Sequence, residues 1–164
     1  MNYASINKAD VANGPGVRVS LFVSGCRHHC PGCFNQIAWD FGYGTEFTKN
    51  TVDEIMEAIN HDYISGITVL GGEPFEPENL STVKALCQEI KERYPDKSIW
   101  VYTGLQYEDV EEASAMKYID VLVDGPFIQS LKDLTLSFRG SKNQRIIDVR
   151  KTRESGTIKL YIEE

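Results

Sequence analysis

The chain has 164 residues, 41% of them hydrophobic and 25% charged, with a net charge of −7. That length suits one domain, residues 1–164, with a real core and the composition of an ordinary globular protein. The negative balance argues against nonspecific nucleic-acid binding, which needs a basic surface, and no apolar run approaches the roughly 20 residues of a membrane helix.

A turn at Asn13-Gly14-Pro15-Gly16 leads into Val17–Val23, an alternating, β-rich run that reads as a strand. A cysteine-bearing loop follows at once. Thr51 is expected to cap a helix from Val52 to about His61, with Glu54 three residues on as in a capping box. Ile67–Leu70 reads as a second buried strand ending at Gly71, and residues 79–94 as an amphipathic helix stopped by Pro95. The alternation continues with a strand at Ser98–Tyr102, a helix at Glu108–Met116 and a strand at Ile119–Val123 that ends in Asp124-Gly125-Pro126. Two further β-rich segments, Arg145–Val149 and Thr157–Ile162, bring the total to about six strands. Strand and helix in regular order predict an α/β domain with a mainly parallel sheet. A full eight-fold barrel takes about 250 residues, so the expectation is a partial, open β/α barrel. In such sheets ligands bind beyond the carboxyl ends of the strands, and both the cysteine loop and Gly71-Gly72-Glu73 leave strands there.

Three of the four cysteines fall in Cys26-Arg27-His28-His29-Cys30-Pro31-Gly32-Cys33, a C-x3-C-x2-C spacing. The chain begins Met1-Asn2-Tyr3-Ala4-Ser5, without the basic and then apolar order of a secretory signal, so a cytoplasmic location is expected. In a reducing compartment clustered cysteines bind metal rather than form disulfides. Three thiolates can hold three irons of a four-iron cube that normally takes four cysteines, leaving one iron open to a small molecule. A zinc site is the alternative, Cys3His with His28 or His29, although a second separated Cys/His pair is not seen. Otherwise the two histidines are expected to face solvent. Cys87 lies on the helical stripe Leu80-Val83-Leu86-Ile90 and reads as a core residue. Residues 132–164 carry net +3 and residues 1–131 net −10. Two solvated faces of one domain would give that asymmetry, and so would a basic segment that meets an acidic partner or a cofactor carboxylate.

The cysteine spacing resembles the signature of the radical S-adenosylmethionine enzymes, and Gly71-Gly72-Glu73-Pro74, 38 residues beyond Cys33, resembles that superfamily's second motif in the expected order. The resemblance implies a [4Fe-4S] cluster on Cys26, Cys30 and Cys33 and S-adenosylmethionine as cofactor. It implies cofactor contacts from Gly71, Gly72 and Glu73, with the Glu73 carboxylate accepting the cofactor's ammonium. Gly32 stands where most of the superfamily has an aromatic, so adenine contacts are expected from Gly32, Cys33 and Phe34. Asp124 and Arg139 are further candidates, the first at a strand end and the second as a carboxylate partner; for each, a turn is the structural alternative.

Further segments narrow the likeness: Asn13-Gly14-Pro15-Gly16-Val17-Arg18, Trp100-Val101-Tyr102-Thr103-Gly104, Asp124-Gly125-Pro126-Phe127 and Arg139-Gly140-Ser141-Lys142-Asn143-Gln144-Arg145. From about residue 2 to 149 the chain is similar to the activating proteins of anaerobic (class III) ribonucleoside-triphosphate reductase. That likeness implies a protein substrate, a glycine of the reductase's large subunit, and a low-potential electron donor such as flavodoxin, with neither nucleic acid nor membrane as partner. Activases of other glycyl-radical enzymes (the pyruvate formate-lyase type), a small radical enzyme acting on a nucleoside or peptide, and a zinc-binding interaction module remain as alternatives.

Overall fold

The computed structural model describes residues 1–161. Eleven elements follow in chain order: β1 (Asn2–Asp10), β2 (Val17–Val23), β3 (Thr45–Glu46), α1 (Lys49–Ile59), β4 (Ile64–Gly71), α2 (Pro77–Arg93), β5 (Ser98–Tyr102), α3 (Tyr107–Val110), β6 (Val121–Asp124), β7 (Arg145–Asp148) and α4 (Val149–Ser155). The seven strands form one sheet in the order β3-β1-β2-β4-β5-β6-β7.

The parallel part is β2-β4-β5-β6, and antiparallel pairs flank it at β3-β1, β1-β2 and β6-β7. The expected mainly parallel sheet of about six strands is therefore corrected to seven strands, with a four-stranded parallel centre. β1 escaped the sequence reading because its outward residues are polar or charged and its apolar ones, Tyr3 and Ile6, are sparse. The sheet ends at β3 and β7 and is open. Its progressive parallel order is compatible with part of a barrel, and the sheet is not closed among the described residues.

Side-chain period along each strand divides the sheet into two faces. In register across five strands, Leu21, Val69, Val101, Leu122 and Ile147 point to one side. There they pack with Ile55, Met56 and Ile59 of α1 and Val83, Leu86, Cys87 and Ile90 of α2. The Cys87 core expectation holds, with the side chain fully buried.

The opposite face carries Ser20, Thr68, Trp100 and Val121 in register. A smaller cluster of Trp100, Val121, Val123 and Ile146 covers its β5–β7 side, with Tyr102 and Phe138 against it. Beside it lies Arg18, fully buried. Its guanidinium donates to Thr68 Oγ1 at 2.9 Å, Ser98 Oγ at 2.9 Å and the carbonyls of Ile67 and Ser98 at 2.8 and 2.9 Å, stitching β2, β4 and β5 together. Burial lowers its pKa to about 10, so it stays cationic at neutral pH.

Other boundaries shift for local reasons. The cap of α1 is Thr48, whose N–H donates to Thr51 Oγ1 at 3.0 Å, so Thr51 is the third helical residue and the helix starts a turn earlier than expected. The expected helix 108–116 is two short pieces, α3 and a 3-10 turn at Ser114–Tyr118. Val149 starts α4, which Asp148 caps by accepting the Lys151 N–H. Of the expected last strand, Leu160 makes only an isolated bridge to Ile147, and Ile162 lies outside the described residues.

Replacing Arg18 by Met removes five donors from a buried polar site and leaves carbonyls unpaired. Such losses cost about 3–5 kcal/mol. Urea unfolding of the Arg18→Met variant is expected to show the midpoint falling accordingly at constant slope. An unshifted midpoint would mean that water reaches these carbonyls.

Candidate active site

The four parallel strands all end on one side, where they deliver Ser24-Gly25-Cys26, Gly71-Gly72, Thr103-Gly104 and Gly125. A cleft of about 140 Å³ opens there, lined by Cys26, Cys30, Cys33, Gly71, Gly72, Tyr102, Thr103, Gly104 and Gly125, with His28, Phe34, Trp39, Leu70, Phe127 and Gln144. A larger cleft of about 370 Å³ lies between α3 and α4 and holds no cysteine.

Backbone pairing carries the loops beyond the strands. The Gly72 N–H donates to the Val23 carbonyl at 2.7 Å, and the Glu73 N–H to the Gly25 carbonyl at 2.8 Å. A Cβ on Gly72 would lie 2.5 Å from the Gly25 carbonyl oxygen, and Gly71 has φ +105° beside the Val23 backbone. Only glycines permit so close an approach of two chains.

The cysteine loop is fastened from its outer side. Gly25 and Cys26 donate to the carbonyls of Ala38 and Trp39 at 2.7 and 3.2 Å. Arg27 pairs with Glu76 and Glu78 at the start of α2 and lies over the Phe41 ring at 4.4 Å. His29 stacks on Trp39 with centroids 4.2 Å apart.

His28 does not face solvent as expected. It lines the cleft, and its Nε2 bonds to Glu73 Oε1 at 2.7 Å, a hydrogen bond that raises the histidine pKa.

All four cysteines are free. Burial pushes the Cys26 thiol up to about 11 and Cys87 to about 12. Among the described residues, no three His, Cys, Asp or Glu side chains are gathered as a single ion requires. The zinc alternative, with all its ligands at about 2.0–2.3 Å from one centre, is therefore not preformed. A cube would take each thiolate on a different iron, and the three cysteines do line one cleft.

Of the expected cofactor contacts, Cys33, Phe34, Gly71 and Gly72 reach the cleft, whereas Gly32, Glu73, Asp124 and Arg139 do not line it. Glu73 is 2% exposed and its carboxylate accepts from protein groups. Asp124 is fully buried. It accepts from Arg145 Nε and Nη2 at 3.0 and 2.5 Å and from the Tyr107 N–H at 2.7 Å. Its structural role is an ion pair, and only its neighbour Gly125 meets the cleft.

Arg139 donates to the Gln144 carbonyl at 2.8 Å. It lines an adjoining groove of about 280 Å³ with Gly32, Phe34, Phe127 and Leu134. The 139–144 segment is a clamp: Gln144 Oε1 accepts from Gly140 and Ser141, Gln144 Nε2 donates to Gly125, and Asn143 donates to Pro126. Gln144, Tyr102, Thr103, Trp39 and Phe127 at the cleft carried no role in the sequence reading. The motifs Tyr102-Thr103-Gly104 and Arg139–Arg145 were visible, but side-chain direction was not.

A family described as a 4Fe-4S single cluster domain matches residues 12–147. Over 146 residues, 89% of this chain and 93% of the relative, the sequence is 43% identical to the anaerobic ribonucleoside-triphosphate reductase-activating protein of Enterobacteria phage T4. The chain belongs to this family. The protein of the same name from Escherichia coli (strain K12) is 43% identical over 154 residues, 92% of this chain and all of the relative. That from Vibrio cholerae serotype O1 is 44% identical over 150 residues, 89% of this chain and 97% of the relative.

Thiol counting checks the division of the cysteines. In the native metal-free chain, Ellman's reagent is expected to modify the three loop thiols and to reach Cys87 only on unfolding. Reaction of all four at one rate would place Cys87 outside the core.

Proposed function

We propose that this chain activates an anaerobic ribonucleoside-triphosphate reductase by generating a glycyl radical on its large subunit, using a [4Fe-4S] cluster and S-adenosylmethionine. The observation that carries the reading is the meeting of Cys26, Cys30 and Cys33 with Gly71 and Gly72 in one cleft, in a chain of the activating-protein family. The bound groups supply one-electron cleavage of the sulfonium C–S bond to methionine and a 5′-deoxyadenosyl radical, which takes the Cα hydrogen of the target glycine to give 5′-deoxyadenosine.

Cys26, Cys30 and Cys33 would hold three irons of the cluster as thiolates, leaving the fourth iron without a protein ligand. Burial raises the Cys26 thiol to about 11, which makes displacing its proton on metal loading harder than for an ordinary cysteine. Gly71 and Gly72 present bare backbone to the cleft. Tyr102, Phe127 and Trp39 wall it with aromatic surface that limits water around a reactive species.

A protein substrate suits the mouth of the site. Phe34 and Leu134 stand 90% and 88% exposed, and the groove they border shares Phe34 and Phe127 with the cleft. The electron comes from a low-potential donor of the flavodoxin type.

The test is anaerobic reconstitution with iron and sulfide, reduction, addition of S-adenosylmethionine and assay of 5′-deoxyadenosine. About four irons per chain and deoxyadenosine formation are expected, with a glycyl-radical signal once the reductase is present. Cys26→Ala, Cys30→Ala and Cys33→Ala each abolish turnover, whereas Cys87→Ala retains it. Bound zinc without cofactor cleavage would sink the proposal, and loss of the cluster in Cys87→Ala would overturn the ligand assignment.

A further inference from the structure

Glu73 was expected to meet the cofactor's ammonium, yet its carboxylate is already full. Oε1 accepts from His28 Nε2 at 2.7 Å, Thr103 Oγ1 at 2.8 Å and the Gly104 N–H at 2.8 Å. Oε2 accepts from the Phe75 N–H at 2.9 Å, with the same Thr103 hydroxyl 2.9 Å away. Four donors occupy the roughly four acceptor positions of a carboxylate, and the residue is 2% exposed. An incoming ammonium would have to evict His28 or Thr103. The groups that Glu73 holds, His28, Thr103 and Gly104, line the cleft themselves, while Glu73 does not. The imidazole of His28 also lies against the Gly104 backbone, where an added Cβ would come within 2.7 Å of the ring. Asn79, buried behind the motif, donates to the carbonyls of Ser24 and Glu73 at 3.0 and 3.1 Å and fixes the same junction from below.

We propose that Glu73 is a positioning residue: acting through His28, Thr103 and Gly104, it locks the cysteine loop to the exit of β5, and it does not touch the cofactor's ammonium. The part concerning the cofactor rests on the S-adenosylmethionine reading above. One carboxylate thereby sets the separation of two cleft walls that belong to distant segments of the chain. The negative charge matters because all four partners are donors. In Glu73→Gln the oxygen can still face three of them, but the amide NH2 then confronts the Phe75 N–H, donor against donor.

The test compares wild type with Glu73→Gln by three readouts, so that a folding failure in Glu73→Ala does not decide it. In the metal-free chain, amide hydrogen exchange of residues 26–33 and 103–105 is expected to speed up about tenfold or more, while the centre of α2 is unchanged. Unchanged exchange in those two segments overturns the proposal whether or not the cofactor binds. In the reconstituted, reduced protein without cofactor, the electron paramagnetic resonance spectrum of the cluster is expected to shift as its loop moves. A spectrum identical to wild type would contradict the positioning role. Binding is then measured for S-adenosylmethionine and for its analogue without the α-amino group. Glu73→Gln should weaken both by the same factor and preserve their ratio, whereas a ratio collapsing towards one would establish direct contact with the ammonium. If the wild type binds neither compound, the cofactor reading falls, and the exchange experiment still decides what Glu73 holds.

Discussion

The arrangement of the site depends on how closely β2 and β4 run past their own ends. The ladder that pairs Val23 with Gly71 continues through Gly72 to Val23 and Glu73 to Gly25, so the second motif is zipped to the stem of the cysteine loop. A side chain at position 72 would collide with a backbone carbonyl rather than with a movable group, which leaves no room for compensation. Two segments separated by 48 residues thereby share a continuous stretch of backbone hydrogen bonds. The cleft inherits its floor from that pairing, because parallel strands of unequal composition all stop at the same level.

The two faces of the sheet serve this end differently. One is apolar in register across five strands and is covered by α1 and α2, supplying the burial that holds the sheet against its helices. The other uses Arg18 where an apolar core would be expected. Its guanidinium reaches β4 and β5 from β2 through directional bonds, while Asp10 accepts from Ser20 Oγ at 2.5 Å and contributes favourable charge nearby. Hydrogen bonds of this kind specify register more strictly than hydrophobic contact, since a shifted strand would leave buried donors unpaired. Register at the base of the parallel strands determines where their carboxyl ends stop.

Legibility in the sequence followed the strength of local signals. β2, β4, β5 and β6 are short apolar runs ended by glycine or proline, and all appear in the structure near their expected positions. β1 was invisible because its pairing is decided by β2 and β3 rather than by an apolar pattern of its own. The 108–116 helix fails because its hydrophobic spacing is satisfied by two short turns packing Val110, Ala115 and Met116 into the core. At the site, the positions of the three cysteines and two glycines could be read from spacing, since the backbone alone delivers them. The fates of Glu73, Asp124 and His28 could not, because each depends on a partner far along the chain: Thr103, Arg145 and Glu73 itself.

Those three residues share a physical rule. A carboxylate at a strand end in an α/β protein is a natural candidate for ligand binding, yet it can also be the group that keeps two loops in place. Burial and hydrogen bonding separate the cases: a group that must receive a ligand needs unfilled valence within reach of it, whereas Glu73 is buried with four donors on its carboxylate and Asp124 is fully buried in an ion pair with Arg145. The cleft is faced mostly by thiols, glycines and aromatics, with His28, Leu70, Thr103 and Gln144 among them. Charged side chains around the loop, Arg27 with Glu76 and Glu78 and His28 with Glu73, are instead committed to fastening it. The loop can therefore present its cysteines to the cleft while its charged residues fasten it from the other side.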